Sequence, residues 1–204
     1  MEFTQVAADT FQKLQMNAGV MLSEFNPATG TLNQSAIMGA TTGGFTFNSN
    51  PAYEDIGADV DNCPANTKQL KRLTGYDPTA SGTFLSINTA RTKQLVGAAD
   101  IDSANAARIV PSNQLKDADF TDIWIVGDYS DKNKTDSTAG SAAGFVAVHI
   151  KNALNTSGFQ WTTTKDGKGQ FAFEFHGHYD LNNIDDVPFE IYVKAGTDAE
   201  TTGG

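Results

Sequence analysis

The chain has a single cysteine, Cys63, so it holds no intramolecular disulfide framework and no cysteine zinc cluster. No apolar run approaches the roughly 18 residues that cross a bilayer as a helix. The opening residues, MEFTQVAADTFQKLQMN, lack the basic and apolar regions of a secretory signal, and cytoplasmic synthesis is expected. Positive charge is scarce: 14 Lys and Arg stand against 24 Asp and Glu, a net charge of −10. Phosphate contacts dominate nucleic-acid affinity, so this balance argues against a basic groove that grips DNA or RNA. Phosphate-binding glycine loops are missing as well, because the glycines of GATTGG fit neither GxGxxG nor a Walker loop. No linker divides the 204 residues, and one large domain spanning residues 1–204 is expected, able to bury a core without staples.

What is present is apolar alternation with period two, the mark of half-buried strands. Residues 19–25 (GVMLSEF) read as a strand ended by the turn signal Asn26-Pro27. Residues 35–40 and 45–48 read as a hairpin whose tip is Thr41, Thr42, Gly43 and Gly44. Short strands are expected over 69–73, 82–88, 107–110 and 159–163, with a turn at 75–78. Residues 122–129 (DIWIVGDY) are apolar at their centre, as in a strand covered on both faces, and 144–151 (GFVAVHIK) form another. Two helices are expected: residues 4–15, and a short one capped by Asn88 or Thr89 and ending at Gly97. A polar loop over 130–141 and a frayed tail over 197–204 complete the pattern. Strands outnumber helices without a βαβ rhythm, which predicts an antiparallel β-sandwich or barrel.

The segment 170–196, QFAFEFHGHYDLNNIDDVPFEIYVKAG, holds two of the three histidines. Phe171, Phe173 and Phe175 share one strand face, while Glu174, His176 and His178 share the other. Val187, Phe189, Ile191 and Val193 then alternate with Pro188, Glu190, Tyr192 and Lys194, so the two strands read as a hairpin. A metal at His176 and His178 would need Glu174 or Asp180 as a third ligand. A polar strand face or a subunit contact is the commoner role for such a pair, and no metal or other cofactor is expected.

Glu54, Asp55, Asp59 and Asp61 crowd an acidic loop over 53–64 but lack the spacing of a calcium-binding loop. Lys68, Lys71 and Arg72 form a small basic cluster beside it. Adjoining acidic and basic patches suit head-to-tail contacts between identical subunits, which need two complementary surfaces. Cys63 has no base in its sequence neighbourhood. No catalytic constellation emerges, so the chain is not expected to be an enzyme.

Three stretches carry a resemblance: FQKLQMNAGVMLSEFNP, GATTGGFTFNSNPAYEDIGADVDNCPANTKQL and IDDVPFEIYVKAG. They resemble the major tail proteins, or tail tube subunits, of bacteriophages and prophages of Gram-positive bacteria. The resemblance implies a β-sandwich with a flanking helix, a structural virion protein without cofactors. It implies hexameric rings stacked into a hollow tube, with inner strands joined into one barrel around the lumen. Such a tube sits in the virion tail and conducts DNA to the host without binding it specifically. Its implied partners are further copies of itself, a tape-measure protein, a tail terminator and a baseplate or tip complex. On this basis the tip of the 35–48 hairpin and the charged residues between 54 and 72 become candidates for subunit contact or lumen lining. The acidity fits such a conduit, because carboxylates facing the lumen repel phosphates.

Other roles are open to the same sequence. A tail terminator or the inner tube of a contractile system is built on the same fold. A small-molecule or glycan-binding sandwich would use Trp124, Trp161 or Tyr192 as a platform, and a metalloenzyme would centre on His176 and His178.

Overall fold

The computed structural model describes Thr10 and residues 14–129 and 144–194. The expected helix over 4–15 lies almost wholly outside these residues, as do the loop over 130–141 and the tail over 197–204. In chain order the described elements are β1 (Gln15–Leu22), β2 (Thr41–Asn48), β3 (Pro51–Asp55), β4 (Lys71–Tyr76), β5 (Thr79–Phe84), α1 (Thr89–Val96), β6 (Ala99–Ile101), β7 (Ile109–Pro111), β8 (Thr121–Tyr129), β9 (Phe145–Asn155), β10 (Phe171–His176) and β11 (Phe189–Lys194). Among the described residues the fold is mainly antiparallel β, sandwich-like with one flanking α-helix, and is not closed into a barrel.

Seven strands form one sheet in the order β1-β8-β9-β10-β5-β2, with β11 added to β9. The long strand β9 is the pivot. Residues up to Ala153 pair with β8, and β11 lies along Phe145 to Ile150 on the other side. Its last two residues, Leu154 and Asn155, pair instead with His176 and Phe175 of β10. Asn152, left-handed at φ 49°, sits where β9 leaves one layer for the other. The layers are therefore β1-β8-β9-β11 and β10-β5-β2, and their facing sides make the core.

Between the layers lie Met21, Phe84, Ile123, Ile150, Phe173 and Phe175, with Leu95 of α1 packed against them. Each such side chain contributes about 1.5–3 kcal/mol on burial. The outer face of β8 is also covered: Trp124 and Val126 pack with Leu22, Phe25, Ala36, Phe145 and Ala147. That second cluster exists because residues after β1 fold back as a lid. Ser23 N–H donates to the Ala36 carbonyl at 2.9 Å and Met38 N–H to that of Met21 at 2.9 Å. The expectation of a strand covered on both sides over 122–129 is thus met.

Helix α1 also forms where expected. The Asn88 side chain accepts the Arg91 N–H at 2.9 Å, and Gly97, at φ 88°, ends the helix. Three strand assignments are corrected. Residues 35–48 are not a hairpin, because Gln34–Ala36 is a 3-10 turn, Ile37 bridges to Leu22, and Thr41–Asn48 is one continuous strand paired with β5. The glycines read as its tip lie inside that strand; Gly43 and Gly44, both at φ 77°, absorb a bulge between Thr42 and Phe45. β10 and β11 are not each other's partners, since β9 is long enough to host both. Residues 159–163 make only an isolated bridge, Thr162 to Gln170.

Candidate functional site

The candidate contact residues fall at the two ends of the β2–β5 ladder. At one end Thr41 and Thr42 pair with Phe84 and Thr83, beside the Gly43–Gly44 bulge. At the other end Asn48 pairs with Thr79, and the chain continues through Asn50 into the β3–β4 hairpin, the arm. Glu54 and Asp55 belong to β3, Lys71 and Arg72 to β4, Lys68 to a 3-10 turn before it, and Asp59 and Asp61 to the turns between the strands.

On the arm the charges face each other. Glu54 pairs in register with Arg72 and Asp55 with Lys71, so acidic and basic residues share one hairpin rather than forming two patches. Asp55 also shapes the arm's end: its carboxylate accepts the Gly57 N–H at 3.2 Å and the Asn66 N–H at 2.8 Å. Lys71 Nζ donates to the Asn66 side-chain oxygen at 3.0 Å. A Cβ on Gly57 would stand 2.6 Å from Leu70 and 2.9 Å from the sulfur of Cys63, so these three residues form a small packed knot. Yet Tyr53, Ile56, Val60 and Leu73 are all exposed. Two strands alone are marginal in water, and this arm exposes apolar side chains beyond that knot.

The second unusual surface is on β11. Phe189, Ile191 and Val193 stand opposite Ile150, Val148 and Val146, so they face the space between the layers, as the alternation predicts. Phe189 is covered there by Phe47 and Tyr76, with ring centroids 5.7 and 5.3 Å away. The cover then stops, and Ile191 and Val193 remain 54% and 62% exposed. Period two identifies the face but not where the described opposite layer ends. A groove of about 150 Å³ opens nearby between Phe45 and Phe47 of β2 and Ile125, Val146 and Val148 of the other layer. Among the described residues, β11 pairs only with β9 and β2 only with β5, so each has one open edge.

The histidines diverge. Both ring nitrogens of His176 meet carboxylates, Asp77 at 2.8 Å and Glu174 at 3.2 Å. His178 turns to the Asn152 carbonyl at 3.1 Å and packs edge-on against Phe120. His149 meets Asp122 at 3.1 Å and stacks on Trp124 with centroids 4.0 Å apart. Among the described residues, no three His, Cys, Asp or Glu side chains converge as a metal site. The aromatic platform residues are likewise dispersed: Trp124 is buried in the outer cluster and Tyr192 packs beside it, while Trp161 is exposed against Phe171.

A charged chain runs along the outside of β9 and β11. Lys151 lies 2.6 Å from Glu190 and 2.9 Å from Asp186, and Tyr192 donates its hydroxyl to Glu190. The Lys151 hydrogen bond, then that of Tyr192, hold Glu190 below the usual carboxylate range. Asp122 is lowered by its bond to His149 and by the Asn152 N–H. For Lys151, burial acts downward but the bonds to Glu190 and Asp186 outweigh it, and the net direction is up. These groups are mutually satisfied and aimed at no cleft, which is the pattern of a structural network. Among the described residues, no helix is long and apolar enough to cross a membrane. No protein-family model matches the chain, and no curated protein matches it.

Proposed function

We propose that the chain is a structural subunit of a bacteriophage tail tube, associating with copies of itself into rings that stack into a hollow conduit for DNA. The observation that carries this reading is the strip on β11, where Ile191 and Val193 face an inter-layer space that the other described residues leave open. A strand with an open edge and a bare apolar face is a template for pairing with another chain. β2 supplies a second, different open edge, and two different complementary surfaces generate rings when the rotation closes. The arm adds exposed Tyr53, Ile56 and Val60 as a further contact, away from the bulged start of β2. The net charge of −10 suits a channel that DNA must pass without sticking. Tape-measure, terminator and baseplate or tip proteins are the partners this role requires.

Negative-stain microscopy of the concentrated protein tests the reading. Rings or tubes with a stain-filled centre are expected, and they should vanish in an Ile191→Asp/Val193→Asp variant that keeps its circular dichroism spectrum. A wild-type chain that stays monomeric at every concentration would overturn it.

A further inference from the structure

The arm joins the body at a narrow root. Asn50 and Asp77 hold its two strands together there: Asp77 N–H donates to the Asn50 carbonyl at 3.2 Å, and the Asn50 amide donates to the Asp77 carbonyl at 3.0 Å. Three ties then fix this root to the end of β10. Gly177 N–H donates to the Pro78 carbonyl at 2.9 Å, Tyr76 N–H to the Tyr179 hydroxyl at 3.0 Å, and His176 meets Asp77 at 2.8 Å. The approach is close: a Cβ on Gly177 would stand 2.9 Å from Pro78. Of the three ties, the imidazole is the one whose charge changes near neutral pH.

We propose that His176 is a proton-controlled staple, fixing the arm to the body when charged and loosening it when neutral. An imidazolium has two N–H donors, and the site offers two carboxylates, Asp77 from the β4–β5 link and Glu174 from β10. A neutral ring has one donor, so the tie to Asp77 is lost when Nε2 keeps the proton, and when Nδ1 keeps it the tie weakens from an ion pair to a hydrogen bond from an uncharged donor. The ring is half-buried, which pulls its pKa down, but the bonds to Asp77 and Glu174 outweigh this and the net direction is up from 6.5. A raised folded value means the contribution is complete below about pH 6.5 and is lost as pH rises through the folded pKa. The arm therefore tightens in mild acid and loosens in mild alkali.

Two measurements on the wild-type chain test this together. An NMR titration reads the His176 pKa, and hydrogen exchange reads arm opening at about pH 6 and pH 8.5, corrected for intrinsic rates. A His176 pKa above the usual value is expected, with residues 51–76 opening more at the higher pH and β8 and β9 unchanged. The increase should be about tenfold for each unit by which the closed-arm pKa exceeds the open-arm value. His176→Gln should make arm exchange independent of pH, and Asp77→Asn should lower the His176 pKa and blunt the response, whereas His178→Gln should change neither. An unshifted His176 pKa, equal arm exchange at both pH values, or a pH response that survives His176→Gln would each overturn the proposal.

Discussion

The body and the arm are both antiparallel β, yet they are held by different forces. In the body, Met21, Ile123 and Ile150 are 0% exposed, and strands are fixed by what lies above and below them. In the arm, the first four residues of β3 and of β4 are exposed, and order comes from the β3–β4 ladder, the Asp55 and Lys71 bonds and the ties at the root. β11 belongs to both classes, with Phe189 covered and Ile191 and Val193 bare. Apolar side chains that lie outside the core of the described residues are available for burial by a neighbour. In the proposed assembly, the difference between the regions marks where the subunit ends and its neighbours begin.

Substitutions should separate the two regions by size of effect. Phe175→Ala removes a side chain packed between the layers and should destabilise the chain by about 3–5 kcal/mol, read by denaturant unfolding. Asn155→Ala comes next. The Asn155 amide donates to the Leu95 and Gly158 carbonyls at 2.6 and 3.0 Å, while its oxygen accepts from Glu174 N–H at 2.9 Å. Leaving these groups unpaired should destabilise by about 1–3 kcal/mol and loosen α1 first. Tyr53→Ser/Ile56→Ser on the arm should change monomer stability by no more than about 0.5 kcal/mol while abolishing assembly; a large stability loss would erase the distinction between arm and body. The smallest effect concerns acid. Asp122 and Glu190 have lowered pKa values, so their contribution is present above about pH 4 and fades as pH falls through the folded values. Both are partly exposed and screened, so Asp122→Asn/Glu190→Gln should only slightly flatten the acid limb of stability against pH.

Much of the body could be read from residue order. The alternation in β10 and β11, the apolar centre of β8 and the Asn88 and Gly97 caps of α1 are local signals, and each produced its element. Pairing was less legible. Gly43 and Gly44 carry the same turn signal whether they reverse a chain or bulge a strand, and only the ladder to β5 distinguishes the two. The 170–196 segment reads as a hairpin because its strands are close in sequence, while the longer β9 pairs with both of them. At the candidate site, the charged residues of the arm were visible as clusters, but their mutual register was not. The bare strip on β11 was hidden for a related reason: alternation shows that Ile191 and Val193 share a face, not whether another layer reaches that far. Asp77, the partner of His176, lies 99 residues away in the chain and gave no local signal.

Hydrogen exchange on assembled and dissociated protein tests the division between subunit and assembly most directly. New protection is expected at residues 51–76 and 189–194 on assembly, with β8 and β9 equally protected in both states. Assemblies in which β11 and the arm exchange as fast as in the free subunit would contradict it.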